Sequence, residues 1–378
     1  MSWFGSEIDG PLVLTRAIHF AATATTAGAL IFRGLVAEPA LRGAASAAPL
    51  LDKQVRSVAW IGLAVTVVSG LTWVLLLTMS LSDEGLGEAV MSGALRDVLN
   101  LTQFGLVSQV RLALAITLAI CLVLKCWALW RWLALAAAVG LVAAIAWTGH
   151  AASTPFTLGD LHLASDALHL VAASAWIGGL VPLVLLLGVT RCHRAWASLE
   201  LDAVRRFSTL GVVSVAVLIL SGFVNAWILV GSFRGLAVTF YGQLLMLKLA
   251  AFAAMLAFAA SNRFVLTPRL ALASDKARRD ALRVISRNTL IEIVLGLSIF
   301  AMVGVLGTLH PAAHLVTETI KPEATHANQK THSRSDREGR SLPDLMLLSN
   351  RCRGVKHIIP EETLPGAWLS SRSASAAA

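Results

Sequence analysis

Eight apolar runs dominate this sequence, at roughly 11–33, 55–79, 109–129, 132–150, 161–189, 208–230, 241–262 and 289–310. Each is near the ~20 residues that a helix needs to cross a hydrocarbon core. Lipid offers backbone groups no hydrogen-bond partner, so only helices and closed barrels span a bilayer. The runs are built from Leu, Ala, Val and Gly and lack period-2 alternation, which argues against barrel strands. The predicted fold class is therefore all-α, a polytopic transmembrane helical bundle of about eight helices. Composition agrees, with 56% apolar and 14% charged residues, unlike a soluble domain of this size.

Charge predicts the orientation. The links after the odd-numbered runs hold bases such as Arg33, Lys53, Arg131, Arg205, Arg206, Arg269 and Arg283, 17 in all. The links after the even-numbered runs hold only Arg96 and Arg234. The positive-inside rule then places the basic links in the cytoplasm and both termini on the periplasmic side. A net charge of +9 is mostly this signal plus the tail. It is no nucleic-acid footprint, because the bases do not cluster with aromatics on a soluble domain. The acidic start and long first run do not read as a cleavable signal peptide. The expected organisation is a transmembrane domain over 1–312 and a polar, disordered tail over 313–378.

Ionisable side chains in apolar helices are costly and rarely idle. Their densest group lies between 148 and 182, where His150 closes one run and His162, Asp166, His169 and Trp176 follow in the next. Spacings of four, three and seven put the last four on one helical face. Thr157 and Asp160 stand where that helix is expected to be capped, with His162 projecting into the outer aqueous layer. Imidazoles there suit metal ligation, with Asp166 as the acid that orients one of them. His19 sits deeper in the first run, with Arg16 a turn away. Arg111, Asn225 and Lys248 fall in the same half of their runs, as does Met246, a candidate soft ligand. Glu292 is expected near the inner end, paired with arginines. Cys121, Cys126, Cys192 and His193 lie toward the cytoplasmic side, where thiolates would suit a weak inner relay, although a spacing of five is no metal motif.

Several segments resemble the copper resistance protein D family. They are Gly149-His150-Ala151, Asp166 to Leu170, Ala175-Trp176-Ile177-Gly178-Gly179-Leu180, Arg206-Phe207-Ser208, Ser221 to Trp227, Tyr241 to Lys248, and Asn262-Arg263. The resemblance covers roughly 10–312 and is most specific in 149–263. It implies a bacterial inner-membrane protein, not an enzyme, that assists copper import and works with a periplasmic copper carrier of the CopC type. Copper, as Cu+ or Cu2+, would then be held by His150, His162, His169 and His19. Lys248, Arg16 and Arg111 place positive charge near such a cation, which keeps a second occupant open. A b-type haem would use two histidines axially and the bases on its propionates, making the protein an oxidoreductase. The His169-x6-Trp176-x-Gly-Gly-Leu segment also resembles a shorter family, membrane-bound protoporphyrinogen oxidase. A copper sensor that does not transport is a third reading. No nucleotide-binding loop occurs in the sequence, which argues against direct ATP-driven transport.

Overall fold

The computed structural model describes residues 9–124, 128–149, 156–190, 194–230, 239–272 and 275–309. The expected tail over 313–378 lies outside the described residues. Eight helices are long and apolar enough to span a membrane: α1 Gly10–Gly43, α2 Ala45–Ser82, α3 Gln103–Val123, α4 Leu129–Thr148, α5 Leu158–Thr190, α6 Ala197–Leu229, α7 Phe240–Leu270 and α8 Lys276–Leu306. Two short helices, Leu86–Met91 and Ala94–Leu101, join α2 to α3. The described residues contain no strand.

Several helices outrun the apolar stretches. Helices α2 and α6 start about ten residues earlier than hydropathy alone marks, and α8 starts earlier still. Their polar turns are held by i,i+4 pairs that an apolar count cannot register, Arg56–Asp52 at 3.0 Å and Arg206–Asp202 at 2.9 Å. The expected cap at Thr157 is overturned, because the helix already includes Phe156 and Thr157 lies inside it. Within α5 the chain widens into a π turn at Ser174–Gly178. Pro182 lies one turn further on. It has no N–H to offer the carbonyl of residue 178, and a π bulge is a common way to absorb such a defect.

Helices α1 and α5 occupy the centre. Helix α1 packs on α2, α4, α5 and α8, and α5 packs on α1, α4, α6 and α8. Helices α1–α4 and α5–α8 thus form equivalent halves: in each, the first helix packs on the second and fourth, and the third on the fourth. The contact of α1 with α8 is matched by that of α5 with α4, as a two-fold relation between tandem halves requires. The halves meet where Ala24-x3-Gly28 crosses Ser174-x3-Gly178. A Cβ on Gly28 would fall 2.6 Å from Gly178 Cα, and one on Gly178 would fall 3.2 Å from Gly28 Cα. Small residues at this spacing let two membrane helices touch backbone to backbone.

The basic end is tied by ion pairs. Arg33 binds Glu38 at 3.3 Å and Asp52 at 2.7 Å, and Arg131 reaches Glu38 at 3.2 Å. Glu200, 1% exposed, pairs with Arg278 between α6 and α8. Replacing Glu200 with Gln leaves that guanidinium uncompensated. The expected cost is about 3–5 kcal/mol, read as a lower melting temperature in detergent. Asp280→Asn, in the exposed pair with Arg283, is expected to cost under ~1 kcal/mol.

Candidate functional site

At the end of the bundle opposite the basic links, three helices of the second half converge. Helix α5 supplies Asp166 and His169, α6 supplies Ser221 and Asn225, and α7 supplies Tyr241 and Lys248. His169 Nδ1 lies 3.0 Å from Ser221 Oγ. Ser221 Oγ already donates to the Val217 carbonyl at 2.6 Å, so it accepts from His169 and fixes the Nδ1–H tautomer. The ring also lies by the Leu218 backbone, one turn before Ser221. Gly222 lies against the ring, where a Cβ would come into van der Waals contact with His169 Cε1 at 3.4 Å. Ser165 Oγ donates to the Ser221 carbonyl at 3.0 Å and pins α5 to α6 beside the ring.

Asn225 Nδ2 donates to Asp166 Oδ1 at 3.2 Å, while Asn225 Oδ1 is buried with no partner. Lys248 is close enough for its charge to act on both Asp166 and His169. Buried Tyr241 stands near Asp166. The arrangement offers a carboxylate, an imidazole lone pair and an amide oxygen, with an ammonium group balancing the carboxylate. Oxygen and imidazole donors of this kind suit a transition-metal cation.

The remaining sequence candidates are distributed otherwise. His162 lies on the same helix but is 1% exposed, so the expected projection into water is overturned by its burial. Trp176 turns into the core and bonds to Glu292. Met246 is 49% exposed and faces outward from α7. Arg16 donates to the Gly307 carbonyl at 2.8 Å rather than to an acid. His19 Nδ1 lies 2.9 Å from Ser69 Oγ, and its Nε2 accepts from Arg111. That contact uses the lone pair that a metal or haem iron would need. His150, Cys126, Cys192 and His193 lie outside the described residues. Cys121 is buried beside Arg33 and Glu38 at the basic end. Among the described residues no three His, Cys, Asp or Glu side chains converge on one point.

Some partners were not singled out from sequence. Ser69 and Ser221 bear the same relation to His19 and His169, each followed by glycine against the ring. Thr102-x2-Gly105-x5-Arg111 on α3 is repeated as Thr239-x2-Gly242-x5-Lys248 on α7. Each threonine caps its helix by accepting from the glycine N–H at 3.0 Å. A single offset relates Arg16, His19 and Gly28 to Asp166, His169 and Gly178. Searching for this internal repeat would have found the serines. It would also have paired Arg111 with Lys248.

A second polar group lies in the half of the bundle nearer the basic links. Asn262 Nδ2 donates to Glu292 Oε1 at 2.9 Å, and Asn288 Nδ2 donates to Asn262 Oδ1 at 2.9 Å. The expected pairing of Glu292 with arginine is overturned: Asn262 and Trp176 hold it, and the nearby Arg263 donates to Ser208 at 2.7 Å. A cavity of about 290 Å³ opens beside Trp176, Asn262, Arg263 and Glu292.

Fold and site together define a polytopic membrane protein of two tandem four-helix halves, with intramembrane polar clusters in the second. Two family profiles match it, "Copper resistance protein D-like, N-terminal domain" over residues 7–160 and "Copper resistance protein D" over residues 201–306. The chain belongs to the copper resistance protein D family and is a multi-pass protein of the inner membrane. It is 34% identical over 173 residues to "Copper resistance protein D" of Pseudomonas syringae pv. tomato, covering 45% of this chain and 56% of that protein. It is 31% identical over 167 residues to "Inner membrane protein YebZ" of Escherichia coli (strain K12), covering 44% and 55%. It is 30% identical over 285 residues to "Copper transport protein CutJ" of Bacillus subtilis (strain 168), covering 72% and 50%. The chain thus spans about half the length of the curated relatives it matches. No solved structure matches it.

Proposed function

We propose that this protein takes up copper ions at the periplasmic face of the inner membrane and assists their passage to the cytoplasm. The observation that carries the reading is the Asp166–His169–Asn225 cluster, with an imidazole held by Ser221 beside a carboxylate and a buried amide oxygen that lacks a partner, in a chain of a copper-related family. The basic links then face the cytoplasm. In this reading His150 first receives copper handed over by a CopC-type carrier, and buried His162 takes it on along α5. Lys248 compensates Asp166 when no cation does. A copper ion entering between Asp166 and His169 takes over that role and weakens the hold of Lys248. From there α5 leads inward past Trp176 to Glu292 and Asn262, which supply oxygen donors beside an inner cavity, with Cys121 further toward the cytoplasm. His19 falls outside this path.

The test is copper accumulation by cells producing His169→Ala, Asp166→Asn or His19→Ala, normalised to protein in the membrane. The first two are expected to lower protein-dependent accumulation at least tenfold, while His19→Ala lowers it only as far as it lowers the amount of folded protein. Unchanged accumulation in His169→Ala would sink the reading. Copper bound by the purified protein without His169-dependent uptake would turn it into a sensor.

A further inference from the structure

The repeat gives the first half its own version of the cluster, with the charge reversed. His19 and Ser69 stand as His169 and Ser221 do. At the position of Asp166 there is Arg16, and at that of Lys248 there is Arg111. One acid and one base have become two guanidiniums. Arg16 is 9% exposed and Arg111 7%, and the Nε of each is buried without a partner. Among the described residues no carboxylate acts on either. Arg16 makes one carbonyl bond and lies over the Trp73 ring at 5.1 Å. Among the described residues the one hydrogen bond of Arg111 goes to His19, through the nitrogen lone pair. Two buried cations with no counter-ion among the described residues are costly in an apolar medium.

A cavity of about 350 Å³ lies against this group, between α2 and α3. Arg111, His19, Gln109, Ser108 and Thr66 are its polar lining, and Trp73 forms part of a wall that is otherwise apolar. Leu71 and Leu112 also line it and are 52% and 43% exposed, on surfaces that face lipid in a spanning bundle. The space thus sets a guanidinium against a mostly apolar lining, with a mouth toward the bilayer.

We infer that the first half binds an amphipathic anion, a carboxylate or phosphate head on an apolar body, with its head on Arg111 and its body along Trp73. The anion enters from the membrane and supplies the missing counter-charge. The two halves then divide the work, one holding an anion and the other, under the copper reading, a cation. This inference rests on the repeat and the unpaired arginines, and stands without the copper assignment.

Dibromostearate tests it, because bromine quenches a nearby indole. Purified protein in neutral maltoside detergent is expected to show saturable quenching that Trp73→Phe removes. Arg111→Gln is expected to weaken binding at least tenfold, with Arg111→Lys in between. The methyl ester of the probe, which keeps the body and loses the charge, is expected to bind wild type at least tenfold more weakly. That comparison needs no variant to fold. Displacement by phosphatidylglycerol but not phosphatidylcholine would identify the natural head as phosphate, and failure of both as carboxylate. Equal binding of acid and ester, or quenching unaltered in Trp73→Phe, would overturn the inference. Copper binding is expected to persist in Arg111→Gln, and stearate binding in His169→Ala, so that either reading can fail alone.

Discussion

Replacing Gly178 with leucine is expected to prevent the two halves from docking. The substituted Cβ would lie 3.2 Å from Gly28 Cα and closer still to the backbone of Ala24. Backbone cannot rotate aside as a side chain can. The cost is expected to exceed the ~1–3 kcal/mol typical of an overpacked core. Because α1 and α5 between them pack on α2, α4, α6 and α8, separating them removes the platform for both clusters. The measurement is folded yield in detergent by size-exclusion profile and thermal melting. Gly178→Ala is expected to show a smaller loss in the same direction. Gly188→Leu is the control, since a Cβ there meets nothing within 4 Å. Normal yield and melting for Gly178→Leu would show that the crossing is not the joint.

Asp166→Asn has the second large expected effect, and a double substitution separates its two components. The change removes the carboxylate that faces Lys248 and leaves an ammonium group in the membrane interior. The two charges act on each other without a direct ion pair, so the cost is expected to fall below the ~3–5 kcal/mol of a broken buried pair. Adding Lys248→Met removes the stranded charge and is expected to restore most of the melting temperature. Copper accumulation is expected to stay low in the double variant, because the carboxylate ligand is still absent. Stability and copper handling should therefore part company. Recovery of both would mean that Asp166 serves only to neutralise Lys248.

Much of the fold was legible because the bilayer imposes a one-dimensional rule. A helix must be long and apolar enough to span, and the runs show where. What hydropathy missed were the polar extensions of α2, α6 and α8, whose stability comes from pairs such as Arg56–Asp52. The site was legible in part. Asp166, His169, Asn225 and Lys248 were each conspicuous as polar residues in apolar runs, and the structure brings all four together. Met246 was equally conspicuous as a soft donor. It lies only two residues from Lys248 and so points to another side of α7. His19 had the right residue type, but Arg111 from another helix occupies its lone pair.

The sequence alone determined an all-helical membrane bundle, the number of spans and the residues that pay to sit in lipid, because hydrophobic length and charge are local properties. Only the tertiary structure decided which polar groups meet. It set His169 against Ser221 and Glu292 against Asn262, and it made Gly28 and Gly178 the meeting point of the halves. The first half also kept the histidine–serine pair while its surroundings became cationic. Those outcomes depend on how helices rotate and cross. Packing of distant segments fixes that rotation, and hydropathy along the chain does not record it.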